Sequence, residues 1–440
     1  MTRTLMPNAY TPGAAALAAE DEARIARRAR LLGPAYRLFY AEPLHIVRGE
    51  GVWLYDRDGR AYLDAYNNVA SVGHCHPRVT EALAAQATRL ATHTRYLHDG
   101  ILDYAERLLA HFPPGLSHVM FTCTGSEAND LALRIARAAT GGSGMIVTDN
   151  AYHGVTLATA ELSMSIGPAV APGPTVFPVP APTPGNYPEG VGQGFAAAVS
   201  QACERMAAAG IRPCALIVDT IFSSDGVLPD PQGFLAPALA AIHAAGGLFI
   251  ADEVQPGFGR TGAAMWGFQR HGILPDMVSL GKPMGNGYPM AGLVVQPAIL
   301  AEFGAKARYF NTFGGNAVAA AVGLAVLDVI RDEGLMANAE RVGATLAEGL
   351  RDLATHHAAL GETRAAGLFL GTDILTEGQP DGARAGRLVN ALRREGVLIS
   401  ATGPLGHILK IRPPLPFAVA HAEQFLTTLD RVLAEDASAA

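Results

Sequence analysis

Leu248-Phe249-Ile250-Ala251-Asp252-Glu253-Val254 and Met277-Val278-Ser279-Leu280-Gly281-Lys282-Pro283-Met284-Gly285-Asn286-Gly287 decide how the rest of the chain is read. Each starts as a short apolar run and then arrives at an ionisable side chain, Asp252 in the first and Lys282 in the second. Runs this short, with no polar residue every second position, suit strands covered on both faces, as in a parallel sheet. Three more precede them: Val119-Met120-Phe121, Met145-Ile146-Val147 and Ala215-Leu216-Ile217-Val218, with helical patterns between. The series predicts a mostly parallel sheet wrapped by helices over about Thr80 to Gly334, an α/β fold.

On either side the pattern changes. Val52-Trp53-Leu54-Tyr55-Asp56-Arg57-Asp58-Gly59-Arg60-Ala61-Tyr62-Leu63-Asp64 reads as a hairpin turning at Asp58-Gly59. From Leu335 onward, strand candidates at Leu368-Phe369-Leu370 and His407-Ile408-Leu409-Lys410-Ile411 lie among helical segments, with Gly396 placed to cap a helix ending near Arg393-Arg394-Glu395. Three units are expected: residues 1–70 joining a small domain, 71–334 forming a large one, and 335–440 completing a small α+β domain. Gly167 to Gly190 carries eight prolines, too many for a central strand or a helix, and is expected to run as a stiff extended loop over the surface or a subunit interface.

With 440 residues, 49% of them hydrophobic and 17% charged, the chain can bury a large core. A net charge of −7 without any dense Lys/Arg stretch argues against nucleic acid or an anionic membrane as the main partner. Cys75, Cys123, Cys203 and Cys214 are scattered, which fits neither a disulfide scaffold nor structural zinc. Met1 to Arg30 lacks the apolar core of a signal peptide, and no apolar stretch has membrane-spanning length, so a reducing cytoplasm is the expected location.

A lysine and an aspartate at the ends of neighbouring strands suit pyridoxal phosphate chemistry. The amine condenses with an aldehyde, and the carboxylate keeps a pyridine nitrogen protonated so that the ring accepts electrons. Phe121-Thr122-Cys123-Thr124-Gly125-Ser126-Glu127-Ala128-Asn129-Asp130 runs from a strand through a Gly-Ser turn into a helix whose free N–H groups favour an anion. The alternative there is an N-cap at Thr124 or Ser126 with no ligand. Tyr152-His153-Gly154 falls at a strand's carboxyl end, where an aromatic side chain can stack on a planar ring. His74-Cys75-His76 could suggest a metal, but no second ligand cluster accompanies it; no metal is expected.

These motifs, together with Gly73-His74-Cys75-His76-Pro77, Gln255, Gly257-Phe258-Gly259-Arg260 and Phe310-Asn311-Thr312-Phe313-Gly314-Gly315-Asn316, resemble the class III aminotransferases, pyridoxal-phosphate enzymes of fold type I. The resemblance runs from about Pro43 to Leu433. It implies that Lys282 holds the cofactor aldehyde as a Schiff base and Asp252 the pyridine nitrogen. Tyr152 and Val254 would flank the ring, with His153 and Gln255 as further cofactor contacts. Gly125 and Ser126 would bind the phosphate, joined by Thr312 of a second copy in a homodimer with shared active sites. A ping-pong transfer of an amino group from a primary amine to a keto acid is the implied activity.

Two positions depart from the family pattern. Asp219 stands where many members have a glutamate, and Lys410 stands where many have a carboxylate-binding arginine three residues before a Pro-Pro pair. A lysine is a point charge rather than a bidentate fork, and Arg412 is the candidate substitute. Asn67-Asn68-Val69, Thr94-Arg95-Tyr96-Leu97-His98-Asp99, Asp130-Leu131-Ala132-Leu133-Arg134 and Gly281 to Gly287 are similar to the branch of phospho-lyases acting on phosphoethanolamine and phosphohydroxylysine. The same cofactor can expel phosphate from the carbon beside the carbanion, with Arg95, His98, Lys410 and Arg412 as candidate anion ligands. Transamination is weighed first, phosphate elimination second. A cofactor-binding protein without catalysis is a third reading that the presence of both Lys282 and Asp252 disfavours.

Overall fold

The computed structural model describes Met6 and residues 8–438. At the start of the chain, β1 (Ile46–Glu50), β2 (Trp53–Asp56) and β3 (Ala61–Asp64) form two successive hairpins. The second turns through Asp58-Gly59 as expected, with Gly59 at φ +83°.

The centre of the chain builds a seven-stranded sheet from β4 (His118–Thr122), β5 (Gly144–Thr148), β6 (Val176–Val179), β7 (Pro213–Asp219), β8 (Leu248–Asp252), β9 (Met277–Leu280) and β10 (Ala291–Val295), in the order β4-β10-β9-β8-β7-β5-β6. Only β10 runs against its neighbours. All five apolar runs read from sequence are strands of this sheet. Both faces are covered: on one, Leu131, Ala132 and Ile135 of the helix Gly125–Thr140 pack against Met145, Ile217 and Ile250. Full burial of each such Leu or Ile contributes about 1.5–3 kcal/mol.

The proline-rich stretch is corrected in part. Val176–Val179 inside it forms β6, pairing with β5 alone at the sheet's edge. Pro178 lacks an N–H to donate, and an edge strand tolerates that because one side has no ladder to complete.

After Leu335 the chain adds β11 (Leu360–Ala366), β12 (Phe369–Thr376), β13 (Gln379–Pro380), β14 (Val397–Leu398), β15 (Ser400–Thr402) and β16 (Ile408–Ile411). β11-β12-β16-β15 form an antiparallel sheet, with β13 paired to β12, while β14 crosses over to pair parallel with β3. The two ends of the chain therefore share one sheet. Gly396, at φ +84°, follows the helix Gly382–Arg394 and donates its N–H to the Arg393 carbonyl 3.1 Å away, so the helix stops where β14 must start.

Candidate active site

Because β5, β7, β8 and β9 are parallel, their carboxyl ends open on one edge of the sheet, where such sheets bind ligands. Nine of the fourteen candidate residues line one cavity there: Gly125, Ser126, Tyr152, His153, Asp219, Asp252, Val254, Gln255 and Lys282. Asn129 and Gly154 join them. Their distances along the chain are large, and strand direction is what brings them together.

At one end of this cavity the helix Gly125–Thr140 begins. Thr124 is its N-cap: Thr124 Oγ1 accepts from the Glu127 N–H at 3.1 Å, and Glu127 Oε2 accepts from the Thr124 N–H at 3.2 Å. The cap leaves the Gly125 and Ser126 N–H groups beyond the reach of any helical carbonyl, so a cap and an anion site coexist. A Cβ on Gly125 would sit 2.8 Å from Val254 Cγ2, and one on Gly154, at φ +135°, would sit 2.6 Å from Ser126 Oγ. Gly125 thus lets the Val254 side chain, and Gly154 the backbone after His153, close on the helix start, and Ser126 Oγ accepts from the Val155 N–H at 3.1 Å with its own hydrogen left to donate.

Asp252 ends β8 and is buried. His153 Nδ1 lies 2.8 Å from its Oδ2, Asn129 Nδ2 donates to the same oxygen at 2.8 Å, and the Val254 N–H donates to Oδ1 at 3.1 Å. A carboxylate only accepts, so the His153 hydrogen sits on Nδ1. The same Asn129 Nδ2 also reaches the His153 carbonyl at 2.8 Å, tying three elements into one clamp. Sequence reasoning gave Asn129 no role. Its signal was available: an amide on the face of the helix that otherwise carries Ala128, Ala132 and Ile135, all fully buried.

Lys282 follows β9 in a short 3-10 turn, Lys282–Gly285. Burial, reinforced by the Arg412 guanidinium, lowers its ammonium to about 8, against the opposing pull of Asp252 and Asp219. Asp219 stands across the β7–β8 register from Asp252. Burial and the Asp252 charge push its carboxyl above the usual range, while Ser223 holds it back.

Lys410 and Arg412 approach from β16 and the residue just beyond it. Both are buried. Lys410 Nζ donates to the Ser223 carbonyl at 3.1 Å and stands 5.5 Å from the Phe369 ring centre; burial and the neighbouring Arg412 drive its ammonium well below the ordinary lysine range. Arg412 Nε donates to the Tyr66 carbonyl at 3.0 Å, Nη1 donates to Gln255 Oε1, and the guanidinium lies 4.4 Å over the Tyr66 ring. Arg412 and Lys282 both line a second cleft that adjoins the first through Lys282, walled by Phe39, Tyr66, Asn67, Asn68 and Val69. Lys410 lines neither cleft.

The other candidates lie elsewhere. Thr312 is exposed in the segment before the helix Ala317–Asp332 and does not line the cavity of its own chain. Arg95 is exposed, 3.7 Å over the Phe310 ring, and neither it nor His98 reaches either cleft. His74 pairs with Asp64 at 2.7 Å and His76 with Glu333 at 2.9 Å, and the described residues contain no His, Cys, Asp and Glu cluster suited to a metal. Among the described residues no helix is long and apolar enough to cross a membrane.

The cavity fits pyridoxal phosphate by its donor set: free N–H groups and a hydroxyl for a phosphate, a clamped buried carboxylate for a pyridinium nitrogen, and a lysine of lowered basicity for an aldehyde. The chain is similar in sequence and fold to several known proteins. A phospholyase from Arthrobacter, solved in complex with phosphoethanolamine, superposes with a TM-score of 0.90 at 41% identity, covering 93% of this chain and 99% of its own. A Drosophila melanogaster protein named alanine–glyoxylate aminotransferase 2-like is 39% identical over 90% of this chain and 83% of its own. The ethanolamine-phosphate phospho-lyase homolog 1 of Caenorhabditis elegans is 35% identical over 96% of both chains. The sequence profile of aminotransferase class-III matches residues 39–433. Sheet topology, cavity and sequence agree: the chain belongs to the class III aminotransferase family, pyridoxal-phosphate-dependent enzymes of fold type I.

Proposed function

We propose that this enzyme is a phospho-lyase, converting a phosphorylated amino alcohol such as phosphoethanolamine, with water, to an aldehyde, ammonia and inorganic phosphate. The observation that carries the reading is the division of labour between the two cations at the end of β16. Lys410, at the position where many relatives have a carboxylate-binding arginine, spends its ammonium on the Ser223 carbonyl and lines neither cleft. Arg412 shares a cleft with Lys282 and pairs with no carboxylate among the described residues. A lysine placed to hold an aldehyde that a substrate amine can take over, beside one guanidinium, suits a substrate with one amine and one anion. The phosphoethanolamine named with the Arthrobacter relative has those two groups.

When bound, pyridoxal phosphate supplies an electron sink conjugated to the amine-bearing carbon of the substrate. The chain's own groups do the rest. Gly125 and Ser126 would hold the cofactor phosphate, with Thr312 of a second copy completing that site in a homodimer. Tyr152 and Val254 would flank the ring, with Gln255 beside it. Asp252, oriented by His153 and Asn129, would keep a proton on the pyridine nitrogen. Lys282 would hold the aldehyde and, once freed by the substrate amine, would take the proton from the amine-bearing carbon; a lysine lowered to about 8 is partly neutral near neutral pH. Arg412 binds the phosphoryl oxygens, so that the carbon–oxygen bond breaks with its electron pair leaving on phosphate. Asp219 shapes the electrostatics beside Asp252. A cytoplasmic location and the domain limits 1–70, 71–334 and 335–440 complete the proposal.

Transamination is the second reading, favoured by the name of the Drosophila relative. The two differ in their need for an acceptor. Incubation with phosphoethanolamine alone should release phosphate and aldehyde in step over many turnovers. No phosphate release, with turnover of amines only when pyruvate or 2-oxoglutarate is added, would select transamination.

A further inference from the structure

Ser223 is fully buried at the end of a tight turn that folds back on Asp219: the Phe222 N–H donates to the Asp219 carbonyl at 2.9 Å, and the Ser223 N–H to Asp219 Oδ2 at 3.2 Å. Phe222 itself sits at φ +50°, a left-handed conformation that a bulky side chain adopts only where surroundings enforce it. Here they do, since its ring is wedged between Phe195 and Phe234, with centroids 5.9 and 5.7 Å away. The turn sets the Ser223 hydroxyl between two groups, donating to Asp219 Oδ2 and accepting from Gln255 Nε2 at 2.6 Å.

The direction of these bonds is forced. Arg412 Nη1 can only donate, so Gln255 must turn its oxygen to Arg412 and its NH2 to Ser223. Ser223 Oγ therefore accepts from Gln255 and turns its single hydrogen to Asp219 Oδ2. A head-to-tail chain results, Arg412 to Gln255 to Ser223 to Asp219, in which each bond polarises the next. The Ser223 carbonyl meanwhile accepts from Lys410 Nζ at 3.1 Å and from Thr402 Oγ1 at 3.2 Å.

We propose that Ser223 is a positioning residue for anion recognition: its hydroxyl, through Gln255, fixes the Arg412 guanidinium in the cleft, while its carbonyl retains Lys410 outside it. This rests on the reading of Arg412 as the ligand of the substrate's anion. It makes the site one that reads a single anionic group with a single, oriented guanidinium.

The test uses the cofactor-loaded enzyme and Ser223→Ala, with cofactor stoichiometry reporting that the fold and cofactor site are intact. The KM for phosphoethanolamine should rise about tenfold, the loss of roughly one net hydrogen bond's worth of orientation, with kcat within about threefold. Titration calorimetry with inorganic phosphate should weaken by a similar factor, and in an Arg412→Met background the serine change should add nothing further. Unchanged KM and unchanged phosphate affinity would overturn the proposal, as would a serine penalty that persists in full without Arg412. The phosphate titrations need no turnover, so they decide the role of Ser223 even if phosphoethanolamine proves not to be a substrate.

Discussion

The carboxyl edge of the large sheet and the end of β16 both deliver charged residues to the same place, and they do so in opposite ways. Asp219, Asp252 and Lys282 come from three different strands and converge because parallel strands end on one side. Lys410 and Arg412 are two positions apart, both buried, and they diverge: one is bonded to a backbone carbonyl, the other is presented in a cleft with Lys282. Distance along the chain thus predicts neither convergence nor shared purpose; strand direction and local partners do.

The largest effect is expected at the sheet edge. Lys282→Ala removes the proposed proton-transfer base and should lower turnover by about 10^3-fold or more, while the protein should still bind cofactor non-covalently. Loss of activity by less than tenfold, measured with matched cofactor loading, would break the claim that this edge holds the chemistry. Asp252→Asn preserves shape and removes the charge, so turnover should fall by about 10^2- to 10^3-fold with a smaller loss of cofactor affinity. Because Asn129 and His153 both donate to Asp252, a milder drop on Asn129→Ala would locate part of the effect in orientation.

Most of this edge was legible in the sequence. Buried parallel strands are continuous apolar runs, and each of the five that was read ends where a polar motif begins, so Lys282, Asp252, Tyr152 and Gly125 stand out together. Two strands of this sheet escaped. Ala291-Gly292-Leu293-Val294-Val295 is the antiparallel β10, whose glycine lies against the Met120 carbonyl and whose apolar run was not separated from its surroundings; Val176–Val179 was hidden by prolines that only an edge strand accepts. The distinction between Lys410 and Arg412 had no local signal at all. It depends on Ser223 and Gln255, 187 and 157 positions away from their respective partners.

The pair at the end of β16 can therefore be separated experimentally. Arg412→Met should raise the KM for phosphoethanolamine about 30-fold, in keeping with about 2 kcal/mol for hydrogen bonds to a charged group, whereas Lys410→Met should change it less than about threefold. Equal penalties from the two variants would remove the contrast. The smallest effect concerns stability. Burial pushes the Asp225 carboxyl up to about 8, with Thr148 as a partial counterweight, so the folded state favours its protonated form. The resulting stabilisation is full below the unfolded value near 4 and is lost as pH rises towards 8. Asp225→Asn should therefore gain Tm relative to the parent across that window and keep a constant offset above it; parallel melting curves at pH 5 and pH 9 would check this, and a shift independent of pH would count against it.

The most direct measurement is borohydride reduction of the cofactor-loaded enzyme followed by peptide mass mapping. The chain has three lysines, Lys282, Lys306 and Lys410, which makes the outcome unambiguous. Lys306 is an exposed helix-end residue paired with Glu302, and Lys410 is buried on the Ser223 carbonyl. The cofactor mass is expected on the peptide carrying Lys282 and on neither of the others. Its appearance on Lys410 or Lys306 instead would contradict the assignment of the site to the carboxyl edge of the sheet.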